Sequence, residues 1–147
     1  MLAVIRYSAD KFDVQHFFVD SLMKCIRDED DYNGQKQFIN GLCNVAMDTG
    51  IHVHLIHHTK KPNHDEVPNR YQAKGSGSIS DQVDNVFGVW RNRENNEKPN
   101  CIINCDTQRH GEWDGHVALW FDPASLQFRG DAMPNKRVYI KPPRMAA

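Results

Sequence analysis

From Ile51 to Asn92 the chain reads IHVHLIHHTKKPNHDEVPNRYQAKGSGSISDQVDNVFGVWRN, and the way this stretch divides decides the fold. It opens on IHVHLIHH, a β-rich run that ends in polar residues, and closes on DNVFGVW, a second strand-like run. Between them residues 59–77 hold Pro62, Pro68, Gly75 and Gly77 with little apolar content. That segment is too long to be an idle connection in a compact domain. Upstream, Gly50 closes a helix predicted from about Gln35 to Met47, with Phe38, Leu42, Val45 and Ala46 on one apolar face. The acidic RDEDDYNG before it reads as a solvated loop, and HFFV before that is a buried-strand pattern that delivers Asp20 at its end. Strand, helix, strand is the rhythm of a parallel sheet, so the class is α/β. Leu2, Ile5, Ala9 and Phe12 predict a short helix ahead of Asp13. Downstream, RNRENNEKPN is a polar turn, and CIINCD, HVALWF and LQF are successive short strands with an antiparallel finish. One domain over residues 1–130 is expected, followed by an extended tail over 131–147 with Pro134, Pro142 and Pro143.

Composition narrows the function. A chain of 147 residues, 39% apolar, is long enough for one globular core. Its net charge of −1 excludes a uniformly basic nucleic-acid coat, so any nucleic-acid contact has to be a local patch. Cys25, Cys43, Cys101 and Cys105 form no CxxC pair, and no secretory signal opens the chain. Reduced thiols in a cytoplasm are therefore expected. No apolar run approaches the roughly 18 residues of a membrane span.

Several residues carry possible chemistry. Asp20, followed by Ser21, ends an apolar strand and so lies at the carboxyl edge of a parallel sheet, where open α/β folds bind ligands. A carboxylate there suits magnesium held through water, because that hard cation prefers oxygen. His58 falls at the end of the next strand on the same edge, where a polar side chain can sense a terminal phosphate. The loop after it sets Lys60, Lys61, Arg70 and Lys74 against Asp65 and Glu66, then reaches Gly75, Ser76, Gly77 and Ser78. Lysines neutralise phosphates and glycine-freed amides approach a nucleic-acid backbone closely, while Tyr71 has the ring to stack on a base. Arg109 sits in the polar turn QRHGEWDG, where a strand end can present it across a subunit interface to a transferring phosphoryl group. His52 and His54 share a strand face and both can reach a zinc ion, but ligand spacing supplies no third or fourth partner. Each of these residues also has a plainer reading: a cap after a strand, an exposed histidine, a surface loop, an arginine in a hairpin.

Order and spacing carry more than any one piece. FFVDS (17–21), LIHHTKK (55–61), KGSGSISDQVDNV (74–86) and CDTQRHGEWDG (105–115) resemble, in that order, the later motifs of DnaB-like replicative helicases and especially of phage-type primase-helicases. The resemblance covers residues 14–128. It implies a partial RecA-like P-loop NTPase core, with parallel strands and an antiparallel C-terminal hairpin. By the same resemblance Asp20 is the Walker B aspartate, His58 the phosphate sensor, the loop from Lys60 to Lys74 the single-stranded-DNA loop of a channel, and Arg109 the arginine finger. ATP and magnesium are the implied cofactors, and a homo-oligomeric, usually hexameric, ring the implied assembly. Two departures stand out. No GxxxxGK[ST] loop is present, and only Asp10 and Asp13 stand where a catalytic glutamate belongs. Thr107 also replaces a lysine that family members commonly place two residues before the finger. The expectation is a truncated motor of phage or prophage origin whose phosphate-binding N-terminal half is missing. Two rivals are a non-catalytic nucleic-acid-binding or ring-assembly module and a histidine-dependent metal hydrolase.

Overall fold

The computed structural model describes residues 1–28, 30–58, 79–92 and 99–130. The basic loop with Lys60, Lys61, Arg70, Tyr71, Lys74, Gly75 and Ser76, and the tail over 131–147, lie outside the described residues.

The first half forms as its periodicity demands. Helix α1 (Leu2–Phe12) buries Ile5 and ends at Asp13, which takes a left-handed conformation. Strand β1 (His16–Asp20) comes next, then a short 3-10 turn at Leu22–Lys24. Helix α2 runs Tyr32–Thr49, longer at both ends than the 35–47 its apolar face predicts. The extra turn at its start comes from Asp31, whose carboxylate accepts from the Gly34 N–H at 2.8 Å and caps the helix inside what reads as a loop. Gly50 closes α2 at a φ of 71°, the left-handed position glycine fills at least cost.

Strand β2 (His52–Ile56) then pairs in parallel with β1, His16 opposite His52 and Asp20 opposite Ile56. Alternation sorts the two strands. Phe17, Val19, Val53 and Leu55 turn inward and pack with Ile5, Leu42, Val45 and Ile51 into one core. A second core joins Leu22, Ile39 and Ile79, with Leu55 and Phe38 contacting both cores. The opposite face, carrying His16, Phe18, Asp20, His52, His54 and Ile56, is left uncovered among the described residues, and Phe18 is 66% exposed.

The second half is antiparallel. After α3 (Ile79–Gln82), strands β3 (Asn85–Arg91), β4 (Cys101–Gln108), β5 (Gly115–Asp122) and β6 (Gln127–Arg129) form one sheet in chain order. The antiparallel part is thus larger than the expected C-terminal hairpin, because it begins at β3. Only residues 92–100 separate β3 from β4, which suits an antiparallel neighbour and is too short for a parallel crossover. A bulge interrupts the β3–β4 register between Val86 and Phe87, with Asp106 as the extra residue on β4. Among the described residues β2 pairs only with β1, and β3 only with β4. The chain is therefore mixed α/β, with a two-stranded parallel sheet and a four-stranded antiparallel one.

Candidate functional site

Asp20 is the last residue of β1 and is exposed, because it belongs to the uncovered face with His16 and Phe18. Its chain neighbours fix it in place. Ser21 is only 2% exposed and Leu22 fully buried, so the chain is anchored in the second core just past the carboxylate. The Asp20–Ser21 peptide is cis. Since Asp20 is paired with Ile56, His58 lies two residues beyond the end of β2 on the same carboxyl edge, and it too is exposed. The structure thus brings these two predicted residues to one edge.

Arg109 is held by its own chain. It comes directly after β4 in a tight turn, and its N–H donates to the Asp84 carbonyl at 2.8 Å. Its guanidinium donates to the Asp84 carboxylate at 3.2 Å and to the Asp81 carbonyl at 3.1 Å. His110 Nε2 comes within 3.6 Å of the same carboxylate. The guanidinium is half exposed and turned to Asp84 at the junction of α3 and β3. This junction reaches α2 as well, through the Cys43 thiol, which donates to the Gln82 carbonyl at 3.6 Å. Burial raises the Cys43 pKa above the usual thiol value; Asp84 raises it further and Arg109 partly offsets that.

Asp10 and Asp13 prove to be at the wrong end. Both line an open cleft of about 410 Å³, together with Gln15, His16 and His52, at the amino end of β1 and β2. A five-residue strand is about 13 Å long, so neither aspartate stands beside Asp20 as a catalytic carboxylate. The chemistry expected of a parallel sheet belongs to its carboxyl edge.

Sequence reading missed two arrangements. Asp84 and Asp81 as the partners of Arg109 had no signal, since they lie 25 and 28 positions away. His16 as a neighbour of His52 and His54 was available only by aligning the alternation of HFFVD with that of HVHLI, which presupposes the register. In that group desolvation, then His52 and His16, hold the His54 pKa below the usual histidine value, which favours its neutral ring.

All four cysteines are free. No helix among the described residues is long and apolar enough to cross a membrane. No protein-family model matches the chain, and no curated protein matches it with significance.

Proposed function

We propose that this chain is the C-terminal portion of a DnaB-like, RecA-type replicative DNA helicase ATPase, cytoplasmic and of phage or prophage origin. The observation that carries the reading is the parallel β1–β2 pair, which delivers Asp20 and His58 to one carboxyl edge in the order the motifs require. Asp20 offers the exposed oxygen ligand that a water-held magnesium ion needs. His58 is set to sense the terminal phosphate of ATP. Arg109 serves the ATP of a neighbouring subunit in a homo-oligomeric ring, and Asp84 holds its guanidinium at the surface until that neighbour arrives. Lys60, Lys61, Arg70, Lys74, Gly75 and Ser76 contact single-stranded DNA.

The chain supplies no lysine-bearing phosphate loop, so tight ATP binding depends on a second polypeptide or segment that carries one. Alone, it is expected to give no ATP turnover above background. Hydrolysis by the isolated chain that vanished in Asp20→Ala would overturn the reading. Mixed with a polypeptide carrying the phosphate loop, it should regain turnover, and Arg109→Ala should abolish that turnover while sparing nucleotide binding. Arg109→Ala and Asp20→Ala subunits, mixed, should recover part of the activity, because an arginine acting in trans leaves some interfaces intact. No recovery in a mixture shown to co-assemble would contradict a finger acting between subunits.

The Arg109–Asp84 pair favours one alternative, a ring-assembly or nucleic-acid-binding module without hydrolysis, since the arginine already has an acceptor within its own chain. Binding of single-stranded DNA is common to the two, so turnover is what separates them. Both readings predict weak, sequence-tolerant, salt-sensitive binding that drops in the Lys60→Ala, Lys61→Ala double variant with a flatter salt slope. Only the motor reading predicts restored turnover on complementation.

A further inference from the structure

One face of the antiparallel sheet is apolar across all four strands. Directly opposed residues of such a sheet share a face, so Phe87 goes with Cys105, Val89 with Ile103 and Val117, and Phe121 with Phe128. Arg91, opposite Cys101, stands at the margin of the face. Gly115 opposes Cys105 and leaves a gap that the Trp113 indole fills, since a Cβ at Gly115 would lie 3.4 Å from that ring.

Nothing among the described residues covers this face. Both cores draw their side chains from residues 2–83 and none from β3 to β6. Phe87, Val89, Trp113, Val117 and Phe128 are 43–64% exposed. Their exposed parts come to roughly 500 Å², taking about 150–250 Å² for a whole aromatic side chain. That is near the upper end of the about 300–600 Å² of the largest apolar patch on a monomer. It falls short of the about 800 Å² per partner of a standard protein interface, so a second copy of the chain is a poor occupant. A segment tethered to the sheet needs less area, because docking costs it little translational freedom.

The chain supplies such a segment. Residues 131–147, outside the described residues, follow β6 directly from Gly130. Within them Val138, Tyr139 and Ile140 form a β-branched and aromatic run. Eight residues from Gly130 to Val138 reach at most about 26–29 Å, whereas the three strand spacings from β6 to β3 come to about 14–15 Å. Any strand of the face is therefore within reach. When the run is extended, Val138 and Ile140 fall on one side of it. Charge agrees with this occupant: Lys136, Arg137, Lys141 and Arg144 stand against Asp131 alone in the segment, and Glu112 and Asp114 are exposed on either side of Trp113 in the chain.

We propose that residues 136–141 dock on the apolar face of the chain's own antiparallel sheet, with Val138 and Ile140 against Val89, Ile103 and Val117. The segment closes over a sheet that takes no cover from either core. The inference does not depend on the helicase reading.

The test uses the full chain in dilute solution. Phe87→p-benzoylphenylalanine keeps an aromatic ring at an exposed position and makes it photoreactive. Irradiation should cross-link it within one chain to residues 136–141, mapped by digestion and mass spectrometry. Val138→Ser together with Ile140→Ser should lower that yield at least about fivefold, because the apolar anchor is gone. Phe18→p-benzoylphenylalanine, on the uncovered face of the parallel sheet, should not capture the segment. Cross-links between chains, no capture of 136–141, or equal capture from position 18 would each overturn the proposal. Should the Phe87 variant fail to fold, trypsin on the chain with its native Phe87 decides. Cleavage after Lys136 and Arg137 should be at least about tenfold slower than in the double serine variant, and equal rates would overturn the proposal as well.

Discussion

Arg109 shares its field with Cys43. The Asp84 carboxylate that accepts from the guanidinium also raises the Cys43 pKa, and Arg109 pulls it back down. Only the thiolate reacts with an alkylating agent, so a raised thiol pKa means slow reaction near neutral pH, faster as pH rises. Arg109→Ala leaves Asp84 uncompensated and should slow alkylation of Cys43. Asp84→Asn removes the raising charge and should speed it. Site-resolved alkylation followed by mass spectrometry reads both, and a faster Cys43 in Arg109→Ala would mean that the arginine does not sit where the structure puts it. Asp20 and His58 were legible because a strand's end is visible as an apolar run turning polar. The tie from Arg109 to Asp84 was not, because it depends on a β3–β4 register that local pattern does not encode.

Helix α2 is the element that joins the two cores, with Leu42 and Val45 in one and Ile39 in the other. Ile39 is 1% exposed, and Ile39→Ala should cost about 2–4 kcal/mol, measured by urea denaturation. A loss below about 1 kcal/mol would mean that the second core does not form. At the helix ends the effects are smaller and distinct in cause. Asp31→Ala removes the cap on Gly34 and should cost about 1 kcal/mol. Gly50→Ala meets no atom within 4 Å, so its cost, about 1 kcal/mol, comes from the left-handed backbone alone. Gly50→Asn should recover part of that, and equal losses for alanine and asparagine would argue against this cause. The βαβ order was readable from periodicity and from Gly50. The start of α2 was not, because the cap at Asp31 hides in an acidic run that looks like a loop. The extent of the antiparallel sheet was missed for another reason: a strand's composition does not say which neighbour it pairs with.

At the scale of the molecule, the two sheets end on open strands among the described residues. In the motor that the motifs resemble, the strand leading into the phosphate loop lies between the partners matching β2 and β3. Here those two strands do not pair with each other. Their outward groups can be named. The His52 N–H donates to the Gln15 carbonyl at 2.8 Å, so alternation turns His52, His54 and Ile56 toward β1, and Val53 and Leu55 away from it. In β3, the Asp84 carbonyl accepts from Arg109 and the Asn92 N–H donates to Asn100, which turns the amides of Phe87 and Val89 away from β4. Open inner edges of this kind invite association and leave backbone hydrogen bonds unmade, so a marginally stable or aggregation-prone isolated chain is expected. Residue-resolved amide exchange, on the chain alone and with a polypeptide carrying the phosphate loop, tests the half-motor account most directly. The account predicts fast exchange at Val53, Leu55, Phe87 and Val89 in the isolated chain, beside slower His54 and Trp90, and protection of all four when the missing strand is supplied. Strong protection of those four amides in a soluble, isolated monomer would show the gap already closed and would contradict it.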